Sequence, residues 1–456
     1  MATDFYAGYK SKYKVAADNA IDELSKHMLT DGFNFVLDLE KSNDSYFFDA
    51  RNGKKYLDFF TCFASMPIGM NHPKLLDEDF IKYLGWCALN KPSNSDVYSE
   101  EMATFVNTLF NVAVPDYFKY CFFIEGGALA VENALKTAFD WKVRKNRKRG
   151  MSRECGHKII HFREAFHGRS GYTMSLTNTD INKIKKYPKW DWPRVTNPKL
   201  LFPINEERLE ETIKQENQSI AEIKQALLDN PHDIAALIIE PIQGEGGDNH
   251  FRKEFLQELR RLADENEFLL IFDEIQTGVG ITGKMWAHEH FGVQPDIMTF
   301  GKKMQVCGIL VGDRIDDDPE NVFRVSSRIN STWGGNLIDM VRATKYLEII
   351  EEENLVENAR VSGEYLLSRL NGMHEEFADV VKHSRGRGLF CAFDLPSKEF
   401  RSYFINKCFD VGLIILPCGE SAVRFRPALN ITKEKIDEGF EIIHDSLAST
   451  MKTRVL

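Results

Sequence analysis

Between about residues 60 and 330 the chain alternates short apolar runs with amphipathic stretches, and this rhythm limits the fold more than any other feature. Lys158-Ile-Ile-His-Phe162, Ala236-Leu-Ile-Ile-Glu240, Phe268-Leu-Leu-Ile-Phe-Asp273 and Asp296-Ile-Met-Thr-Phe300 read as buried strands. A strand covered on both faces is apolar at successive positions rather than at alternate ones. Arg252 to Glu265 reads as a helix, with Phe255, Leu259 and Leu262 on one face. A β-α-β succession predicts an α/β fold: a mostly parallel sheet covered by helices on both sides. Ligands of such sheets sit at the C-terminal ends of the strands.

The two ends of the chain read differently. Tyr46 to Asp58 looks like a hairpin turning at Asn52-Gly53. From about residue 340, long amphipathic helices alternate with strands at Gly388 to Leu395, Gly412 to Leu416 and Ala422 to Arg426. The 456 residues are enough for two or three units. The expected division is a large domain over residues 61–335 and a small α+β domain built from residues 1–60 and 336–456.

With 58 Lys+Arg against 68 Asp+Glu, the net charge of −10 gives no global attraction to nucleic acid or anionic lipid. The one basic run, Lys142 to Arg149, fits cations complementing the C-terminal end of an exposed helix. Eight cysteines are scattered without a C-x-x-C pair, and His288-Glu-His290 lacks the i, i+4 spacing of a zinc helix, so neither disulfides nor a metal are expected. The first residues carry no apolar signal segment, and no apolar run reaches about 18 residues. A cytoplasmic location is the expectation.

Three local patterns point to chemistry. After Tyr120-Cys-Phe-Phe-Ile124, the turn Gly126-Gly127-Ala128 opens a helix whose free N–H groups suit a phosphate, although many α/β units carry such a glycine without a ligand. Phe268 to Glu274 ends an apolar strand in two acids, as in an ATPase, and Gly278 to Lys284 matches G-x-x-x-x-G-K. That match fails because Met285 stands where magnesium needs Ser or Thr, and because the loop follows the acidic strand instead of preceding it. An Asp at such a strand end can instead hold a pyridine nitrogen protonated, making a pyridoxal ring an electron sink. That use needs a lysine for the Schiff base, and Phe300-Gly-Lys302-Lys303 supplies one at the end of another strand. Burial beside a like charge favours its neutral, nucleophilic amine.

In this order the motifs resemble the class III (ω-amino acid) aminotransferases, pyridoxal 5′-phosphate enzymes of fold type I, over essentially the whole chain. The resemblance rests on the turn at 126–128, Ala165-Phe-His-Gly-Arg169, Glu240-Pro-Ile-Gln-Gly-Glu-Gly-Gly247, Asp273-Glu-Ile-Gln-Thr-Gly278, Phe300-Gly-Lys302, Ser331-Thr-Trp-Gly-Gly-Asn336 and Val423-Arg-Phe-Arg-Pro427. Within the family, Asn90 to Tyr98, Gly126 to Asn133 and Gly168 to Asn178 resemble the branch that removes the ε-amino group of L-lysine.

The resemblance implies a role for each matching residue. Lys302 bonds the cofactor and moves the substrate proton, Asp273 pairs with the pyridine N–H, Gln276 bonds the ring's 3′ oxygen and Phe166 stacks on the ring. Gly127 and Ala128 bind the phosphate through backbone N–H groups, joined by Thr332 from a second subunit of a homodimer. Many relatives have Ser-Gly-Ser at this turn, so Gly-Gly-Ala leaves backbone donors alone. Arg424 grips the 2-oxoglutarate carboxylate beside the cofactor, Arg169 grips the far one, and Glu245 covers Arg424 when lysine is bound. The implied reaction converts L-lysine and 2-oxoglutarate to 2-aminoadipate 6-semialdehyde, which cyclises, and glutamate. The rivals are a sibling enzyme acting on ornithine or 4-aminobutyrate, and a catalytically silent cofactor-binding scaffold.

Overall fold

The structure is a computed structural model and describes residues 9, 11–151 and 155–452. Near the N-terminus β1 (Tyr46–Phe48) and β2 (Lys55–Asp58) pair antiparallel across the turn that contains Asn52-Gly53. Seven strands follow: β3 (Phe118–Ile124), β4 (Lys158–Phe162), β5 (Arg194–Val195), β6 (Ile234–Ile239), β7 (Leu269–Asp273), β8 (Ile297–Phe300) and β9 (Cys307–Gly312). They form one sheet in the order β3-β9-β8-β7-β6-β4-β5. The pairs from β5 through β8 are parallel, and β9 runs antiparallel to both its neighbours.

The continuous apolar runs have a simple cause. Side chains alternate across a strand, so Leu270 and Phe272 of β7 join one apolar core while Leu269 and Ile271 join another on the opposite face. The first core receives Phe255, Leu256, Leu259 and Leu262 from the helix Lys253–Asn266. The second receives Val131, Leu135 and Trp141 from the helix Gly127–Lys148. Each such side chain, fully buried, contributes about 1.5–3 kcal/mol relative to exposure.

Four strands, β10 (Lys382–Arg387), β11 (Phe390–Asp394), β13 (Leu416–Cys418) and β14 (Ala422–Phe425), form an antiparallel sheet in the order β10-β11-β14-β13. The strand expected at Gly412 to Leu416 is divided between two sheets. Its first part, β12 (Leu413–Ile414), pairs parallel to β2, and the chain then passes through buried Ile415 into β13. The N-terminal hairpin is thus closed by a strand from the far end of the chain.

The basic run is less exposed than expected. Lys142 is buried with its Nζ donating to the Glu267 carbonyl at 2.6 Å, Lys145 pairs with Glu267 and Asp317, and Arg149 grips Glu267. Among the described residues no helix is long and apolar enough to cross a membrane.

Candidate active site

Strand ends of the large sheet meet at one place. β3 leads into Gly126, whose φ of +93° suits glycine, and the chain turns there into the helix Gly127–Lys148. Gly127 and Ala128 are the first residues of that helix, where N–H groups have no carbonyl a turn earlier and are free for an anion. The loop after β4 carries Phe166, His167 and Arg169; Glu240 follows β6; Asp273 ends β7; and Lys302 follows β8. Together with Gly127, Ala128, Gly168, Ile275, Gln276 and Cys307 they line a cavity of 310 Å³.

Asp273 is held on both oxygens. Its Oδ2 lies 2.7 Å from His167 Nδ1, and its Oδ1 accepts from Thr299 Oγ1 at 3.0 Å and from the Ile275 N–H at 3.2 Å. Glu240 lies behind this group, and its oxygens accept the Phe166 and Gly244 N–H groups, each at 3.0 Å. Burial, with the nearby Asp273 charge adding to it against His167, pushes the Glu240 carboxyl up to about 7. These contacts fix the loops on either side of the cavity.

Lys302 has a φ of +49°, a left-handed conformation that is costly for a residue with a side chain. Among the described residues its Nζ makes no hydrogen bond or ion pair. Burial, followed by the charges of Arg424 and Arg426, lowers its amine from 10.5 to about 8. Lys303 is fully enclosed, and its Nζ donates to the Gln276 carbonyl at 2.7 Å. Only Lys302 of the pair faces the cavity.

Arg424, on β14, is buried and its Nη2 donates to Glu245 Oε2 at 2.9 Å. The other oxygen of Glu245 accepts from Lys183 Nζ. Burial raises the Glu245 carboxyl, but Arg424 and Lys183 outweigh it and leave the group below its usual range. Gln276 Oε1 accepts from Arg424 Nη1 at 3.3 Å and from Arg426 Nε and Nη2 at 3.1 and 2.9 Å, and among the described residues its NH₂ end has no hydrogen-bond partner. Arg426 is itself fixed by Asp248 through contacts of 2.8 and 2.5 Å.

Arg169 is exposed at the cavity edge and makes no ion pair among the described residues. Thr332 is exposed as well and does not line its own chain's cavity; its carbonyl accepts from Ser93 Oγ. The structure therefore brings together Gly127, Ala128, Phe166, Asp273, Gln276 and Lys302, sets Glu245 on Arg424 beside them, and leaves Thr332 apart.

Four residues with no role assigned from sequence also belong here. His167 and Glu240 sit inside quoted motifs, and their polarity next to apolar strands was the available signal. Lys183 gave no signal, being one cation among several in Lys183 to Lys189. Phe63 gave none either. It lies on a left-handed turn, Thr61 to Ala64, with φ values of 41, 51, 59 and 63° and no glycine to mark it. Asp58 Oδ1 holds this turn by accepting the Phe60 and Thr61 N–H groups at 2.8 Å. The Phe63 ring stands 5.8 Å from both Lys302 Nζ and Arg424 Cζ.

Comparison with known proteins identifies the family. The Aminotransferase class-III family profile matches residues 29–447. The L-lysine-epsilon aminotransferase of Mycobacterium tuberculosis (strain H37Rv) is 49% identical over 431 residues, covering 94% of this chain and 95% of that protein. The protein of the same description from Streptomyces clavuligerus is 44% identical over 441 residues, covering 96% of each. The solved lysine aminotransferase from M. tuberculosis in the internal aldimine form superposes with a TM-score of 0.94 at 48% identity, covering 96% of this chain and 100% of the other.

Pyridoxal 5′-phosphate fits the residues present. A carboxylate fixed on both oxygens suits a pyridinium, a helix start with free N–H groups suits a phosphate, and an unpaired lysine of lowered pKa suits the aldehyde. The fold is the fold-type I α/β architecture with a mostly parallel central sheet. With its family profile, its relatives and this site in agreement, the chain belongs to the class III aminotransferases, and its cofactor is pyridoxal 5′-phosphate.

Proposed function

We propose that the chain transfers the ε-amino group of L-lysine to 2-oxoglutarate, giving glutamate and 2-aminoadipate 6-semialdehyde, which cyclises to piperideine-6-carboxylate. The observation that carries this reading is the buried Arg424 covered by Glu245 at 2.9 Å. A transaminase that alternates between an ω-amine and an α-keto acid must show a guanidinium to one substrate and hide it from the other. The relatives described as L-lysine-epsilon aminotransferases, at 44–49% identity, favour lysine as the amine.

When bound, the cofactor supplies an electron sink for the carbon that carries the amine. Lys302 Nζ would carry the proton between that carbon and cofactor C4′. Asp273 keeps the pyridine nitrogen protonated, with His167 and Thr299 fixing its oxygens. Gln276 donates to the ring's 3′ oxygen, Phe166 covers the ring face, and Gly127 and Ala128 hold the phosphate with Thr332 of the partner subunit in a homodimer. In the acceptor half reaction Arg424 holds the α-carboxylate of 2-oxoglutarate and Arg169 the side-chain carboxylate. In the lysine half reaction Glu245 returns to Arg424, and the distant carboxylate takes Arg169.

We read residues 61–335 as the cofactor-bearing domain and residues 1–60 with 336–456 as the small domain that brings Arg424. We place the reaction in the cytoplasm, a reading supported by eight cysteines that are all free. The test is a half-reaction screen that follows loss of the bound cofactor's absorbance with lysine, ornithine and 4-aminobutyrate in turn. Lysine is expected to react fastest; a faster reaction with either rival amine overturns the substrate assignment.

A further inference from the structure

Glu245 is held by two cations. One oxygen meets Arg424 at 2.9 Å and the other meets Lys183 Nζ. Lys183 lies on the short helix Ile181–Ile184, with about a quarter of its side chain exposed. Its Nζ also lies 5.5 Å from the centre of the Phe166 ring. Beyond the pair opens a polar chamber of 720 Å³, lined by Lys183, Glu245, Asn249, Arg401 and Gly419 among others. Glu245 thus has both a second counter-ion and room to move away from Arg424.

We propose that Lys183 is a positioning residue for the acceptor half reaction: it is the station to which Glu245 withdraws when an α-keto acid takes Arg424. A half-buried carboxylate that leaves a guanidinium gives up its charge compensation unless a second cation holds it. Because Lys183 already holds one oxygen, Glu245 can release Arg424 by turning about its own side chain and remains ion-paired throughout. The incoming carboxylate then competes with one contact of Glu245, not with its whole charge compensation. In the amine half reaction Arg424 must stay covered, so Lys183 favours the acceptor side of the cycle over the donor side. This inference rests on the reading of Arg424 as the α-carboxylate grip.

The test uses the pyridoxal-phosphate holoenzyme and glutarate, a dicarboxylate of 2-oxoglutarate's length with no carbonyl to react. By calorimetry, K183M and K183Q should each raise the glutarate Kd on the order of tenfold, and K183R should restore it to within about twofold. In single-turnover work, the kcat/KM of the acceptor half reaction should fall about ten times further than that of the lysine half reaction. In an E245Q background, where the switching charge is gone, K183M should shift the glutarate Kd by less than about twofold. A K183M Kd equal to wild type overturns the proposal. So does an effect that persists undiminished in E245Q, which would make Lys183 a simple attractor of anions. If the amine screen favours ornithine or 4-aminobutyrate, the substrate assignment falls while this test stands, because any α-keto acid presents the same carboxylate.

Discussion

At the scale of the residue, the site is organised by what burial does to charge. Lys302 loses water and faces two guanidinium groups, which lowers its amine from the ordinary lysine value of 10.5 to about 8. Since the neutral amine attacks the cofactor aldehyde, capture of pyridoxal phosphate by the apoprotein should quicken about tenfold per pH unit up to pH 8 and then level off. An unperturbed lysine would keep accelerating toward 10.5. Stopped-flow absorbance across pH 6–10 checks this, and a rate still rising at pH 10 would show that the capturing amine is not lowered by its surroundings. The adjacent lysines looked alike in sequence. The tertiary structure separates them, because Lys303 is tied to the Gln276 carbonyl while the Lys302 backbone adopts positive φ and directs its side chain to the cavity.

At the scale of the element, the cavity depends on how closely one loop approaches one helix. Gly168 has a φ of +119°, and a Cβ there would fall 2.5 Å from Ala128 Cβ and 2.9 Å from Ala128 Cα. Gly168→Ala should therefore push the loop bearing Phe166 and Arg169 off the helix start, costing about 1–3 kcal/mol and loosening cofactor binding. A Tm lowered by several degrees together with a raised pyridoxal-phosphate Kd is the expected result; an unchanged Kd would show that the loop and the phosphate turn are independent. Elements with strong periodicity were legible in sequence: the helix expected at 252–265 lies at Lys253–Asn266, and the strand at 268–273 lies at Leu269–Asp273. The left-handed turn at Thr61 to Ala64 was not, because its conformation is imposed by Asp58 and by Thr61 Oγ1 bonding the Arg426 carbonyl at 2.6 Å, hundreds of residues away.

At the scale of the whole molecule, the exposed apolar side chains bear on assembly. Trp86, Leu89, Tyr98, Leu129 and Trp333 are all exposed, and Leu129 stands one residue from the phosphate turn. An apolar groove nearby is lined by Tyr98, Met102, Val106 and Phe110. Surfaces of this kind mark interfaces, and they support the proposed second subunit that brings Thr332. Sedimentation of the purified protein should give the mass of two 456-residue chains. Leu129→Glu should shift it toward one chain and reduce activity by at least about tenfold, as phosphate contacts are lost together with the interface. A fully active monomeric variant would exclude a shared site.

By itself the sequence determined the α/β class, the strand ends that carry acid and lysine, and the motifs of the family, because buried strands, helix faces and glycine turns are local consequences of residue type. Long-range contact decided the rest. Glu245 meets Arg424 across 179 residues of chain, His167 meets Asp273 across 106, and Lys183 meets Glu245 across 62. Periodicity encodes which face of an element is apolar, but not which polar groups two distant loops will share once water is excluded between them.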